Sequence, residues 1–386
     1  MDKINKVMER LLQGERVEWK PLGDVTNYEQ PGKYIVNSRE FLDTPTNAHS
    51  TPVLTAGKTF ILGYTNENEG IYRASEKPVI IFDDFTTDTR WIDFDFKIRS
   101  STLKMITAVD EEIALQKFIF YWLEIQSSPE KGSNRRQWIS NYAKKKIPIP
   151  PLHVQEEIVR ILDTFTELTN ELTKEQEARQ TQYEYYRDKL LTFEDGEVEW
   201  VKLGDVAQYS NERIGLDEVD KNNYVSVDNL LQNKKGKSKA SHLPGSGTLI
   251  KFKVGDILIG NIRPYLRKIW YADCDGGTNG DVLVIKNKSH KLTSAYLHQL
   301  LLQERFFEYN VQFSRGARMP RGDKSRILQY GIPIPSLEIQ KQITDWLHRF
   351  ELITNSITEG LPREIELRQQ QYEYYRDLLL SFPKAA

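Results

Sequence analysis

Apolar positions in two long stretches of the chain recur at spacings of three and four, the mark of a helix with a single apolar seam. In the first stretch they are Ile158, Ile161, Phe165, Leu168 and Leu172; in the second, Ile343, Trp346, Phe350, Ile353 and Ile357. Each stretch runs on into a tyrosine-rich segment that keeps the spacing. Tyr183, Tyr186, Leu190 and Phe193 lie in "QYEYYRDKLLTF", and Tyr372, Tyr375, Leu379 and Phe382 in "QYEYYRDLLLSF". Each predicted helix covers roughly 35 residues, about 50 Å at 1.5 Å per residue, too long to pack inside one small domain. The two are expected to lie antiparallel and to hold apart whatever lies between them, with Gly360 and Pro362 interrupting the second.

The helices are part of a longer repeat. "VEWKPLGDV" at Val17 to Val25 returns as "VEWVKLGDV" at Val198 to Val206, and "IPIP" at Ile147 returns at Ile332. The prolines of "IPIP" suit an extended run into each helix. Residues 26–146 and 207–331, enclosed by this frame, share almost no wording. Both read as strands followed by an amphipathic helix: "KPVIIFDDFTT", "WIDFDFKIRS" and "TLKMITAVD" before "EEIALQKFIFYWLEIQ", and "GDILIGNIRPYLRKIWYADCD" and "GDVLVIKNK" before "SAYLHQLLLQERFFEYN". The expected fold class is α+β: two α/β-mixed domains in pseudo-twofold tandem repeat, separated by two long antiparallel coiled-coil helices. The boundaries that follow are an N-terminal helical segment at 1–16, a first domain at 17–150, a central long helix at 151–195, a second domain at 196–335 and a C-terminal long helix at 336–386. Within the central helix "TELTNELT" iterates a four-residue unit, and one such unit changes helix length by about 6 Å.

Composition narrows the class. No apolar run reaches the eighteen or so residues of a membrane span, and "MDKINKVMERLLQGERVEW" has no signal-peptide pattern, so a cytoplasmic location is expected. Cys274 is the single cysteine of the 386 residues, which leaves no disulfide framework or thiolate metal cage. A formal net charge of −2 argues against indiscriminate coating of nucleic acid but leaves local basic patches free to act.

Such patches sit at one place in both inserts, between the closing helix and "IPIP". The first has "KGSNRRQWISNYAKKK", with Arg135, Arg136 and Lys144; the second has "SRGARMPRGDKSR", with Arg315, Arg318, Arg321, Lys324 and Arg326 against one acid, Asp323. Lesser patches are Lys234, Lys235 and Lys237 in "NKKGKSK", Arg263 and Arg267 in "NIRPYLRK", and Lys58, Tyr64 and Asn66 in "TAGKTFILGYTNE". Loops of this composition suit phosphate contacts, and arginine also reads guanine edges. One basic loop is usually a solvated surface; two matched loops in twin domains favour a nucleic-acid partner.

The motifs that would carry catalysis fail. "AGKT" at Ala56 lacks the first glycine of a phosphate-binding loop, Pro52 standing in its place, and "GSGTLI" lacks the third glycine of a dinucleotide fingerprint. No Asn or Asp followed by two prolines and an aromatic is present. The six histidines show no ligand spacing. Asp83 and Asp84 read as a turn or a base-contacting pair rather than a nuclease centre, and "RGD" at Arg321 carries no adhesion meaning here.

A duplicated "IPIP"-plus-helix frame around two divergent basic domains resembles the specificity subunit of type I restriction–modification systems, over nearly the whole chain. The tetrad and the "YEYYRD" closures are most similar to the IC subfamily. The resemblance implies a non-catalytic subunit whose two target recognition domains each read half of a split, asymmetric site in double-stranded DNA. It implies docking of two modification subunits, which hold S-adenosylmethionine and methylate adenine, and through them of restriction subunits that use ATP and Mg²⁺. The chain itself would bind no cofactor. Tyr183, Tyr186, Leu190, Tyr372, Tyr375 and Leu379 would serve the helix pair, the partner interface, or both. Two other readings stay open: a coiled-coil scaffold whose basic loops bind RNA or protein, and an enzyme with unrecognised motifs.

Overall fold

The computed structural model describes residues 10–57, 59–126, 136–194, 196–355 and 360–382. The chain divides into two compact units. One comprises the described residues up to Leu172 together with those from Ile365 onward; the other is Thr173–Glu364.

The first unit contains β1 (Glu18–Pro21), β2 (Thr26–Glu29), β3 (Thr51–Leu54), β4 (Ile61–Thr65), β5 (Val79–Asp83), β6 (Thr89–Ile92), β7 (Lys97–Ile98), β8 (Leu103–Ala108) and β9 (Lys146–Ile149). Its helices include α1 (Gln116–Glu124), α2 (Gln137–Ser140), the first half of α3 (Leu152–Leu190) and, from Ile365, most of the C-terminal helix. An antiparallel sheet in the order β2-β8-β5-β6 forms its centre, and a smaller sheet, β4-β3-β7, contains one parallel pair. Strand β5 is buried throughout, and apolar from Val79 to Phe82, because both its faces are covered. Ile80 and Phe82 join the cluster under α1, while Val79 and Ile81 join the cluster toward the second sheet.

The second unit repeats this plan with different residues. Its strands are β10 (Glu199–Lys202), β11 (Ala207–Tyr209), β12 (Arg213–Ile214), β13 (Tyr224–Val225), β14 (Leu249–Phe252), β15 (Ile257–Gly260), β16 (Ile269–Tyr271), β17 (Gly276–Thr278), β18 (Val282–Asn287) and β19 (Gly331–Ile334). The antiparallel sheet β11-β18-β15-β16 matches the central sheet of the first unit, and β12-β14-β17-β13 again contains one parallel pair. The closing segment "SAYLHQLLLQERFFEYN" forms two helices rather than one, α4 (Ser294–Leu301) and α5 (Glu304–Gln312), because Gln303 is extended at ψ 145°. After these come α6 (Lys324–Ile327) and α7 (Leu337–Asn355), followed by α8 (Leu361–Leu379), which takes Pro362 in its first turn, where a missing N–H costs nothing.

The repeated frame works as a clasp. The "IPIP" run is a strand in both copies: β9 pairs antiparallel with β1, Trp19 opposite Pro148, and β19 pairs with β10, Trp200 opposite Pro333. The short "LGDV" helix next to each clasp, Leu22–Val25 and Leu203–Val206, explains its glycine. A Cβ on Gly23 would come within 3.2 Å of the Ala143 carbonyl oxygen, and one on Gly204 within 3.1 Å of that of Leu328.

Each long helical stretch serves both units. Tyr372 lies against Tyr121 in the first unit and donates to Glu124 at 2.6 Å, and Tyr375 stacks on Phe165. Tyr183 donates to Gln299 in the second unit at 3.2 Å and, with Tyr186, meets Phe350. Each unit is thus closed by the tyrosine motif of the other frame copy.

Candidate nucleic-acid interface

In the second unit the loops singled out by charge converge. The run "GDILIGNIRPYLRKIWYADCD" is a hairpin, β15 and β16 joined by residues 261–268, because Pro264 and two left-handed arginines break the strand. That tip meets the loop before β19. Arg263 N–H donates to the Pro320 carbonyl at 2.7 Å, Gly322 N–H donates to the Asn261 carbonyl at 3.1 Å, and Ile262 bridges Arg321. A third segment joins them through Asn233 and Lys234, whose N–H groups donate to the carbonyls of Leu266 and Arg267.

Local chemistry shapes the loop at 315–326. Arg315 and Arg321 exchange two backbone hydrogen bonds of 2.9 Å, closing a small hairpin that exposes Arg318 and Met319. The residues of "RGD" are structural. Arg321 holds the hairpin, and Asp323 caps α6 by accepting from Ser325 and Arg326 N–H at 3.0 and 3.2 Å. Hydrogen bonds from Arg326 and Ser325 N–H, with Arg315 nearby, hold the Asp323 carboxyl below its usual pKa. Gly322 is required because a Cβ there would lie 2.3 Å from Oδ1 of buried Asn310.

The predicted contacts fall into distinct settings. Arg263, Arg315, Arg318, Arg321, Lys324, Arg326 and Lys235 are exposed on these loops. Lys234 and Arg267 share Glu304 at the start of α5, Lys234 Nζ at 3.4 Å and Arg267 Nε at 2.7 Å, so both anchor the loops. Lys237 donates to the Asn222 carbonyl and lies over the Trp270 ring.

In the first unit Arg136 and Lys144 are exposed on either side of α2 and the turn that follows it. Asp84 organises this place. It is 1 % exposed, its Oδ1 accepts the Trp138 N–H at 2.8 Å, its carbonyl accepts the Gln137 N–H, and Oδ2 accepts from the Tyr28 hydroxyl. Burial, then the Asp84 charge, pushes the Tyr28 pKa up to about 12. Asp83 accepts from Phe85 N–H, so the acidic pair is a turn and a helix start. Asp84 does from a distant strand what Asp323 does locally: each holds the first N–H groups of the short helix before the clasp. Tyr64 is half-buried in β4 and Asn66 exposed beyond it; no hydrogen bond or ion pair among the described residues joins them to Arg136 or Lys144. Lys58 and Arg135 lie outside the described residues.

Sequence reasoning missed one matched pair. Gln155 and Gln340 are fully buried five residues past each "IPIP". Gln155 Oε1 accepts the Leu115 N–H, and its Nε2 donates to the carbonyls of Ile113 and Pro150. Gln340 does the same with Thr293, Lys291 and Pro335. The repeat itself held the signal, since "HVQ" and "EIQ" align.

No described helix is long and apolar enough to cross a membrane, and no metal-binding cluster occurs among the described residues.

The comparisons agree with this architecture. The profile of the family described as "Type I restriction modification DNA specificity domain" matches residues 15–180 and 196–367. The EcoR124I/EcoR124II type I restriction enzyme specificity subunit of Escherichia coli is 42% identical, over 98% of this chain and 97% of that protein. The crystal structure of the S subunit of a type I restriction–modification system from M. genitalium covers 96% of this chain and 98% of its own, with a TM-score of 0.53 at 12% identity. A chain from a structural study of type I complex assembly and conformational transition gives a TM-score of 0.54 over 94% of this chain.

The chain belongs to the type I restriction–modification DNA specificity family. Within such systems it is the specificity subunit, which sets DNA sequence specificity and is itself non-catalytic.

Proposed function

We propose that the two units are target recognition domains, each reading one half of a bipartite, asymmetric DNA site, and that the frame docks two modification subunits. The observation that carries the DNA reading is the basic segment before each clasp strand: it occupies one topological position in two units of one fold, with different side chains. Arg315, Arg318, Arg321, Lys324 and Arg326 face the DNA in the second unit, and Arg136 and Lys144 in the first. Different residues on a shared scaffold give different half-sites. The modification subunits supply S-adenosylmethionine chemistry, and restriction subunits join through them.

Docking of two partners is supported by twin exposed aromatics. Tyr185 and Tyr374, at equivalent positions of the two tyrosine motifs, are 61% and 58% exposed while Tyr183 and Tyr372 are buried. Exposed tyrosines at repeated positions are the residue type that anchors interfaces. Two copies of one surface accept two copies of one partner.

The experiment is DNA binding by the assembled complex against salt. Neutralising Arg315, Arg318 and Arg321 together lowers affinity and flattens the dependence of log K on log salt by about 0.9 for each phosphate that the loop no longer neutralises. An unchanged slope and affinity remove this loop from the interface. Native mass spectrometry of the complex is expected to show two modification subunits, and the double change Tyr185→Ser, Tyr374→Ser to weaken both.

A further inference from the structure

Backbone strain in this protein is concentrated in one kind of place. Six non-glycine residues among the described ones adopt positive φ, and five of them lie at or against the hairpin tip of a central sheet. Thr87 (φ 65°) is in the β5–β6 tip. Arg263 (52°) and Arg267 (50°) flank the β15–β16 tip, and Asn233 (56°) and Lys234 (63°) sit in the segment hydrogen-bonded to it. A left-handed backbone is unfavourable for an L side chain and persists only where its surroundings fix it. Here they do. Glu304 holds Arg267 and Lys234, and Pro264 is buried. In the first unit the Asp83 carbonyl accepts the Thr87 N–H, and the buried Asp84 takes two N–H groups of α2.

Both rigid tips point the same kind of side chain outward. Tyr265 is 49% exposed between the two strained arginines, and Phe85 is 38% exposed after the inward-turned Asp83 and Asp84. Neither Tyr265 nor Arg263 has a hydrogen-bonding or ion-pairing side-chain partner among the described residues. Neither ring belongs to a hydrophobic cluster of its own unit. Each tip is also joined by backbone hydrogen bonds to the basic segment before the clasp: Arg263 N–H to Pro320 in one unit, Gln137 N–H to Asp84 in the other.

Resting on the DNA-specificity reading above, we propose that these hairpin tips enter a DNA groove, with Tyr265 in the second unit and Phe85 in the first making the apolar or stacking contact to bases. Arg263 reads a base edge beside Tyr265. The basic loops hold phosphates and set the register; the tips discriminate. The two units use different rings and different neighbours, cationic in one and neutral Thr86 and Thr87 in the other, so they favour different half-sites.

The test uses the full chain assembled with its modification subunit, and a duplex carrying the site that methylation mapping assigns to the wild-type complex. Tyr265→Ala is expected to weaken binding to that duplex about tenfold or more. Binding to a scrambled duplex and the salt slope stay unchanged, and discrimination relaxes at one half-site only. Phe85→Ala does the same at the other half-site, and Tyr265→Phe retains wild-type discrimination. Arg263→Gly suits the left-handed backbone, so it keeps or raises the melting temperature while losing discrimination. The proposal is overturned if Tyr265→Ala and Phe85→Ala leave affinity and discrimination at both half-sites within twofold of wild type, or if cognate and scrambled binding fall equally. A wild-type complex with no preference for any duplex would instead sink the DNA-specificity reading itself.

Discussion

Replacing Gln340 by leucine tests how the frame holds the insert. The side chain has no exposed surface and makes three hydrogen bonds, accepting from Thr293 N–H at 2.9 Å and donating to Lys291 and Pro335 carbonyls at 2.8 and 2.9 Å. Leucine fills similar space, so little of the effect comes from a cavity. It leaves one part-buried N–H and two carbonyls, of which that of Pro335 is buried, without that partner. At about 1–3 kcal/mol for an unsatisfied buried group, with the carbonyls at the low end, the loss is roughly 3–5 kcal/mol. For a unit of this size that lowers the melting temperature by about 10 °C. The local readout is amide hydrogen exchange. Thr293 is the N-cap of α4, so protection across 293–302 is expected to fall while the first unit keeps its own. Gln155→Leu mirrors the result at 115–124. A loss below about 1 kcal/mol, or protection unchanged at Thr293, would refute the argument that this glutamine clamps the closing helix to the clasp.

Three further outcomes follow from single contacts. Gly322→Ala forces a methyl against buried Asn310 and costs about 1–3 kcal/mol in thermal melts, displacing the Arg315–Arg321 hairpin and weakening DNA binding with it. Tyr372→Phe costs more than Tyr183→Phe in denaturant titrations, about 2 against about 1 kcal/mol, because Tyr372 serves the buried Glu124 carboxyl and Tyr183 a neutral amide. Burial pushes the His298 pKa down to about 4 from 6.5, so between those values the unfolded chain binds a proton that the folded one does not. Stability therefore falls on acidification through that window, and urea midpoints of His298→Gln should fall less steeply than wild type between pH 6.5 and 4.

Much of this architecture was legible in the sequence because its signals are local. The period of Ile158, Phe165 and Tyr183 marked the long helix, and the duplicated wording marked two like units. What stayed hidden depends on contacts between distant residues. "IPIP" is a strand only because "VEW" lies opposite it. Nothing local shows that Tyr372 closes the first unit and Tyr183 the second, since both motifs carry the same letters. Charge found the basic loops but could not separate Arg263, whose side chain has no partner among the described residues, from Arg267, which Glu304 holds. The turn at Asp83 and Asp84 was one of the two readings open from sequence, but that Asp84 is buried and starts a helix was not, because its partners Trp138 and Tyr28 lie far along the chain.

The most direct measurement is methylation mapping of DNA exposed to this chain co-assembled with its modification subunit. Methylated adenines are expected at one bipartite, asymmetric motif with a fixed spacer, and none with this chain alone. A palindromic motif, or methylation without the partner, would contradict this expectation.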